Sequence, residues 1–269
     1  KVIIGVEDGA NNSYCDLLFY VNASKTIEEP NDRPVITPDD GNEPEKPDVT
    51  ETKTGTLAFE DIWPGGGDYD MNDVIVEYNR AVSFDKKNQV TKIVDTFTPV
   101  HDGAVFANAF AYQVDKGQFG KMTFSATTEG IHTESATSSI IVCPNVKQAI
   151  QKVYTITREF TGGSFNKKDL KSYNPYIIVK YAEGQKGRTE VHLPKHEATS
   201  LADLSLAGTQ KDAYYIDKEG AYPFAIDIPI LNFISVTEKK SIDTEYPNFK
   251  AWADSKGEKY TDWYNNHVN

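Results

Sequence analysis

Ala58-Phe59-Glu60-Asp61, a loop over 62–72, and then Asp73-Val74-Ile75-Val76-Glu77-Tyr78-Asn79 form the stretch that decides the fold. Apolar, β-branched and aromatic residues stand on both sides of Gly65-Gly66-Gly67. They read as two strands joined by a corner that needs glycine backbone to turn tightly. The same short-strand punctuation runs onward from Gly55. Candidate strands lie at Gly55–Phe59, Val74–Phe84, Gln89–Val100, Ala104–Val114, Lys121–Ala126, Ser139–Val142, Val153–Phe160, Tyr176–Tyr181, Arg188–Leu193 and Pro223–Ile228. Strands of this number and length predict an all-β chain, a two-sheet antiparallel β-sandwich of jelly-roll-like kind. Edge strands are expected where Lys and Glu sit beside glycine, as in Tyr181–Arg188. Tyr246–Ser255 places Phe249 and Trp252 three apart and stops at Gly257, which predicts a short C-terminal helix, one of one or two in all. Trp263 and Tyr264 are expected to pin the tail to the body.

Composition agrees with this reading and narrows the partners. The 269 residues hold 15 Tyr and 12% aromatics, enough for one large sandwich. A net charge of −12 repels phosphate backbones, so nucleic acid is excluded as the expected partner and a cation fits better. Cys15 and Cys143 are too few for a disulfide framework and lack metal-site spacing; one bridge or two inert thiols both remain open. There is no apolar run of the ~18 residues that a spanning helix needs. Lys1 opens directly into Val2-Ile3-Ile4, with neither an initiating Met nor a signal peptide. The expectation is a trimmed piece of a longer precursor.

Residues 26–54 read as a linker. From Thr26 to Lys53 they carry five prolines, nine acidic and three basic residues and almost nothing apolar. Before the linker, Gly5-Val6-Glu7-Asp8, a polar loop and Asp16-Leu17-Leu18-Phe19-Tyr20-Val21-Asn22 repeat in outline the strand, acidic corner and strand of 58–79. Residues 1–25 are therefore expected to be a β-hairpin that ends or mimics a preceding domain, with 55–269 as the main domain. Tyr14, Cys15 and Asp16 stand where the second copy has Met71, Asn72 and Asp73, so the first copy offers fewer oxygens.

Phe59 to Asp73 gathers five carboxylates and one amide oxygen around three glycines. Ca²⁺ takes about six to eight oxygens at ~2.3–2.6 Å from such groups, whereas Mg²⁺ keeps several of its waters. Asp68, Asp70 and Asn72 alternate as the first ligands of an EF-hand loop do. Asp73 replaces that loop's glycine, Asn79 its closing glutamate, and a strand follows in place of a helix. The ligands must therefore close differently, and Glu60, Asp61, Asp68, Asp70, Asn72 and Asp73 are the expected set for one structural Ca²⁺. The competing reading is that these groups only cap turns, but Asx turns use one or two such residues.

Phe59-Glu60-Asp61-x-Trp63-Pro64-Gly65 with Gly67-Asp68-Tyr69-Asp70-Met71-Asn72-Asp73 opens a set of motifs that continues through Asn174-Pro175-Tyr176-Ile177 and Glu190-Val191-His192-Leu193-Pro194. Tyr246-Pro247, Phe249, Trp252-Ala253, Ser255, Gly257 and Asp262-Trp263-Tyr264 complete it. Together these resemble the LruC domain family over roughly 55–265. The upstream hairpin resembles the end of a related acidic-hairpin domain that often precedes it. The resemblance implies a β-rich bacterial cell-surface or outer-membrane lipoprotein of undetermined biochemical role, attached through an N-terminal lipid anchor outside this sequence. No catalytic residues come with it. Met71 takes a place that is often aromatic and is expected to face away from the ion.

Enzyme readings find little purchase. Glu190 and His192 share a strand face and so form a possible acid–base or metal pair, but a strand histidine with its ring hydrogen-bonded is the commoner case. Gly162-Gly163-Ser164-Phe165 lacks the frame of a nucleophile elbow. The dense carboxylates crowd one loop instead of facing each other across a sugar. The expected function is a non-catalytic, Ca²⁺-stabilised surface protein that binds, adheres or assembles through an unknown surface protein or glycan. The alternative is a carbohydrate-binding module using Trp63, Trp252, Trp263 or tyrosines as stacking platforms.

Overall fold

The structure is a computed structural model that describes residues 2–6, 17–21, 49–160, 165–171, 174–183, 187–208, 215–217 and 222–268. The chain divides between Pro47 and Asp48. In the first unit β1 (Val2–Val6) pairs antiparallel with β2 (Leu17–Val21), in register from Val2 opposite Val21 to Val6 opposite Leu17. Cys15 and most of the expected linker lie outside the described residues.

The second unit is the sandwich. Its strands are β3 (Val49–Phe59), β4 (Val74–Phe84), β5 (Val90–His101), β6 (Ala109–Gln113), β7 (Met122–Ala126), β8 (His132–Glu134), β9 (Ser139–Cys143), β10 (Tyr154–Phe160), β11 (Asn174–Ile178), β12 (Glu190–His192) and β13 (Ala225–Ile228). They form a six-stranded sheet, β13-β3-β4-β5-β10-β7, and a five-stranded sheet, β12-β11-β6-β9-β8. Every pairing is antiparallel. Among the described residues three short α-helices accompany them, α1 (Lys116–Phe119), α2 (Ile242–Glu245) and α3 (Phe249–Asp254).

Strand period explains the packing. Leu57 and Phe59 of β3, Val74, Val76 and Tyr78 of β4 and Phe97 of β5 point to one face, where they meet Phe110, Tyr112, Ile140 and Ile177 of the other sheet. The alternate residues Ala58 and Ile75, with Ile226 and Ile228 of β13, point outward and would be exposed in a bare sandwich. Instead they meet Phe233, Tyr246, Phe249 and Trp263 of the C-terminal segment. Burial on both faces is why Val74-Ile75-Val76 is an unbroken apolar run. The helix expected over Tyr246–Ser255 is realised as α3, and the tail is pinned as expected. Trp263 lies edge-on to Phe249 at 4.8 Å and to Tyr246 at 5.3 Å.

Two differences from expectation have physical causes. The strand expected at Gly55 begins at Val49, so residues 49–54, read as the end of the linker, belong to β3. They pair with β4 from Val49 opposite Phe84 to Thr54 opposite Asn79. Their threonines and charges resemble a solvated linker because no second sheet covers this end; Val49 to Lys53 are exposed. β8, only three residues long and polar, escapes notice in the sequence. Gly55 serves close approach: a Cβ there would lie 2.7 Å from the ring of Tyr78 and from the Ile228 carbonyl oxygen.

Trp263 is 2% exposed and holds the C-terminal segment against β3, β4 and β13. Trp263→Ala is expected to cost about 3–5 kcal/mol through lost burial and a residual cavity, read as a lower urea midpoint with an unchanged slope. A loss below about 1 kcal/mol would show that the tail is not part of the core.

Candidate metal centre

β3 ends at Phe59 and the next residue, Glu60, turns inward with no exposed surface. Its N–H donates to the Phe224 carbonyl at 2.9 Å, which continues the β13 edge. Its Oε1 accepts the Met71 N–H at 2.6 Å. Its Oε2 is buried and has no hydrogen-bond partner among the described residues. Gly67 makes room for that oxygen, since a Cβ at 67 would stand 2.3 Å from it.

The loop then curls through two residues in the left-handed region, Tyr69 (φ 56°) and Met71 (φ 54°). Such backbone is costly for side chains other than glycine. It is held here by the C-terminal segment. The Tyr69 carbonyl accepts the Ile242 N–H at 2.8 Å, the Tyr69 hydroxyl bonds Asp217, and Met71 is fully buried among Ile75, Phe249 and their neighbours. The alternation places one oxygen of each of Glu60, Asp68 and Asp70 within 4.8 Å of one another. Oxygens bound to one Ca²⁺ at ~2.3–2.6 Å stand no farther apart than about twice that distance, so this spacing fits. Asp68 is exposed and Asp70 buried. Asp70 accepts the Lys239 N–H at 2.9 Å and, more weakly, the Asn72 N–H at 3.3 Å.

Each of the other three expected ligands makes a bond outside that trio. Asp73 Oδ2 accepts the Asp61 N–H at 2.8 Å, bracing the loop across its neck. Asp61 Oδ2 accepts from Asn108 Nδ2 at 2.7 Å, with Lys180 and Lys147 close enough to favour its charge. Asn72 Nδ2 donates to the Val236 carbonyl at 3.1 Å, while its Oδ1 is buried with no hydrogen-bond partner among the described residues. The expected set of six thus separates into a trio that converges and a second trio that ties the loop to its surroundings. Asn108, Lys147, Lys180, Val236 and Lys239 were not found from sequence. They lie 35 or more residues from the loop, with no local signal joining them to it.

Charge is concentrated beyond what the protein neutralises. Burial pushes the Glu60 carboxyl well above the ordinary range, and Asp73, then Asp70 and Asp68, push it further, against the opposing Met71 N–H. Burial and then Asp61 raise Asp73 to about 7. Asp61 and Asp70 are raised as well, burial first in each case. A buried carboxylate oxygen without a donor is costly, and a cation or a proton relieves it.

Glu190 and His192 belong to a different structure. His192 Nε2 meets Glu190 at 2.9 Å and its Nδ1 meets Asn174 Oδ1 at 2.8 Å, while Glu190 also accepts the Thr199 N–H and hydroxyl at 2.9 and 2.7 Å and pairs with Arg188 at 2.5 Å. Both residues are at most 1% exposed, and the imidazole stacks on Tyr176 at 4.4 Å. This is a closed, buried network. Cys143 is a buried free thiol whose pKa burial raises.

The family model described as "Domain of unknown function (DUF4842)" matches residues 88–264. The chain belongs to the DUF4842 family. The match begins after β4, so the acidic loop lies outside the stretch the DUF4842 model covers, while β5 to β13 and the C-terminal segment lie within it. No curated protein matches the chain. The crystal structure of a "Putative lipoprotein from Bacteroides ovatus" is similar, with a TM-score of 0.59 and 17% identity over 90% of this chain and 79% of that one. At that identity the likeness shows a shared fold. No described helix of this DUF4842 chain is long and apolar enough to cross a membrane.

Raised carboxyls give pH dependence a definite sign. Glu60 binds its proton more tightly folded than unfolded, so its contribution to stability is full below about pH 4 and falls as pH rises through the window above it. Glu60→Gln removes that dependence and keeps the shape. In excess chelator the variant is expected to gain on the wild type between pH 5 and pH 7.5, by up to about 1.4 kcal/mol per pH unit, in urea unfolding. The neutral burial of His192 has the opposite sign but is common to both proteins and cancels. A constant difference between them would contradict the reading.

Proposed function

We propose that this chain is a non-catalytic, Ca²⁺-stabilised surface protein that binds, adheres or assembles with another surface component. The observation that carries the metal half is Glu60: its Oε2 is buried without a hydrogen-bond partner among the described residues, on a side chain whose carboxylate converges with those of Asp68 and Asp70. All the donors are hard oxygens, which suits Ca²⁺ over softer metals. Glu60, Asp68 and Asp70 would hold the ion, whose positive charge would supply the compensation this corner lacks. Asp61, Asn72 and Asp73 would act one step out, fixing the loop through Asn108, Val236 and the Asp61 amide.

The non-catalytic half is supported by the burial of the Glu190–His192 pair, which leaves no room for substrate. The carbohydrate-binding alternative finds no tryptophan platform. Trp63 is 5% exposed against Tyr215, Trp263 is 2% exposed, and Trp252 packs between Phe249 and Trp263. We also infer that the LruC resemblance over 55–265, which encloses the DUF4842 match, is sound, and with it a place at the cell surface or outer membrane by a lipid anchor. The shared fold with a protein titled a lipoprotein supports that placement.

Thermal melts test the metal. A ligand that binds only the folded state stabilises it by about 2.7 kcal/mol at a concentration one hundred times its Kd. Ca²⁺ is expected to raise the melting temperature above that in chelator, Mg²⁺ to raise it much less, and Asp68→Ala or Asp70→Ala to abolish the difference. Coincident curves for the wild type with Ca²⁺ and with chelator would sink the proposal.

A further inference from the structure

β3 is covered unequally by its two neighbours. β4 pairs with it along its whole length, from Val49 to Phe59, whereas β13 pairs only with Thr56 to Phe59. Among the described residues nothing pairs with the remaining edge, Val49 to Gly55, about 23 Å of strand at the usual rise. Beyond Ile228 the chain leaves the plane of the sheet: the Thr56 hydroxyl donates to the Ile230 carbonyl at 2.7 Å, and the Asn232 N–H donates to Glu77 on the outer face at 2.6 Å. An open edge of this length is a template for another strand, and folds ordinarily blunt it with proline, a bulge, or a lysine that points along it. Val49-Thr50-Glu51-Thr52-Lys53-Thr54-Gly55 has no proline and keeps continuous register with β4. Its lysine is drawn to the inner face, where Lys53 Nζ lies 2.8 Å from Asp227 and 5.5 Å over the Tyr78 ring.

The pairing with β13 fixes which backbone groups face the open edge. The Glu60 N–H donates to the Phe224 carbonyl on that side. By strand period every second residue back from Glu60 turns its N–H and C=O the same way, so Thr50, Thr52 and Thr54 present theirs to the open edge. Val49, Glu51, Lys53 and Gly55 turn theirs toward β4.

The stretch is complementary to itself. Set antiparallel to a second copy about a two-fold axis at Thr52, Val49 lies opposite Gly55, Thr50 opposite Thr54 and Glu51 opposite Lys53. This register fills the gap without overrunning it, because Ile228 already stands opposite Thr56. The threonines become the hydrogen-bonded pairs, each pair exchanging two N–H···O bonds. Glu51 and Lys53 become non-hydrogen-bonded pairs, whose Cα atoms are only about 4.5 Å apart, so opposite charges meet on both sides of the axis. Moving the axis by one residue, to Glu51 or to Lys53, would place like charges opposite each other. The charges therefore select the register that fits the gap. The present partners of these two side chains need not be given up, since a carboxylate and an ammonium each accommodate more than one partner.

We propose that two copies of this chain pair through the Val49–Gly55 edge of β3, antiparallel about Thr52, and so join their six-stranded sheets edge to edge. The pairing narrows the assembly half of the proposed function to a second copy of the chain. It owes nothing to the Ca²⁺ loop at the other end of β3, so the melts that test the ion and the association that tests the pairing fail separately.

Sedimentation velocity of the full chain over a range of concentrations tests it. A seven-residue ladder is a small interface, and the wild type is expected to pass from monomer to dimer below about 1 mM. Thr52→Pro removes an N–H that faces the open edge and no bond to β4, and is expected to weaken the dimer at least about tenfold while a cooperative thermal melt shows the variant folded. Glu51→Lys and Lys53→Glu each set like charges across the axis and are expected to weaken self-association by at least about tenfold. An equimolar mixture of those two variants restores opposite charges at every Glu51 and Lys53 position and is expected to dimerise as the wild type does. A wild type that stays monomeric to about 1 mM, a dimer indifferent to Thr52→Pro, or a mixture that associates no better than its separate components would each overturn the pairing.

Discussion

A glutamate carboxylate closed off from water at the end of a central strand is the constraint around which the rest of this molecule is arranged. Glu60 cannot leave its position without breaking the bond from its amide to Phe224, and its Oε1 is committed to the Met71 amide. Its second oxygen has no hydrogen-bond partner among the described residues, and its carboxylate converges with those of Asp68 and Asp70, so the loop gathers like charges around a buried group. Such an arrangement persists in a fold only if something over-determines it. The C-terminal segment does this by packing Met71, capping Asp70 with the Lys239 amide and accepting from Asn72 at Val236.

The two ends of the sandwich consequently differ in character. At the loop end both faces of the large sheet are covered, by the second sheet and by α2, α3 and Trp263, and the backbone is locked. At the other end β3 runs past the cover of β13, which pairs only with Thr56 to Phe59, and the sandwich opens over Arg80.

Much of this was legible in the residues. Period-two alternation and turn punctuation give the strands: Val74–Phe84 is expected and observed with the same bounds, and the all-β two-sheet architecture follows from the number of such segments. The polar start of β3 was hidden because an uncovered strand needs no apolar residues, and β8 because three residues make no pattern. The loop's oxygen content was legible, but which oxygens converge was not. Asp61 and Asp73 look like ligands by type and spacing. The partners that draw them away, Asn108 beyond β5 and the neck bond between Asp61 and Asp73, arise only when distant strands meet. The buried layer in which Arg80 and Arg158 meet Asp95 was likewise unmarked, since charged residues within strands ordinarily read as solvent-facing.

A crystal grown with Ca²⁺ and measured at a wavelength where calcium scatters anomalously would locate the ion. One anomalous peak is expected, bounded by Glu60 Oε2, Asp68 and Asp70, with oxygen distances of about 2.3–2.6 Å. A map without such a peak, with Glu60 Oε2 bonded to water or to a neighbouring carboxyl, would contradict the proposed Ca²⁺ site.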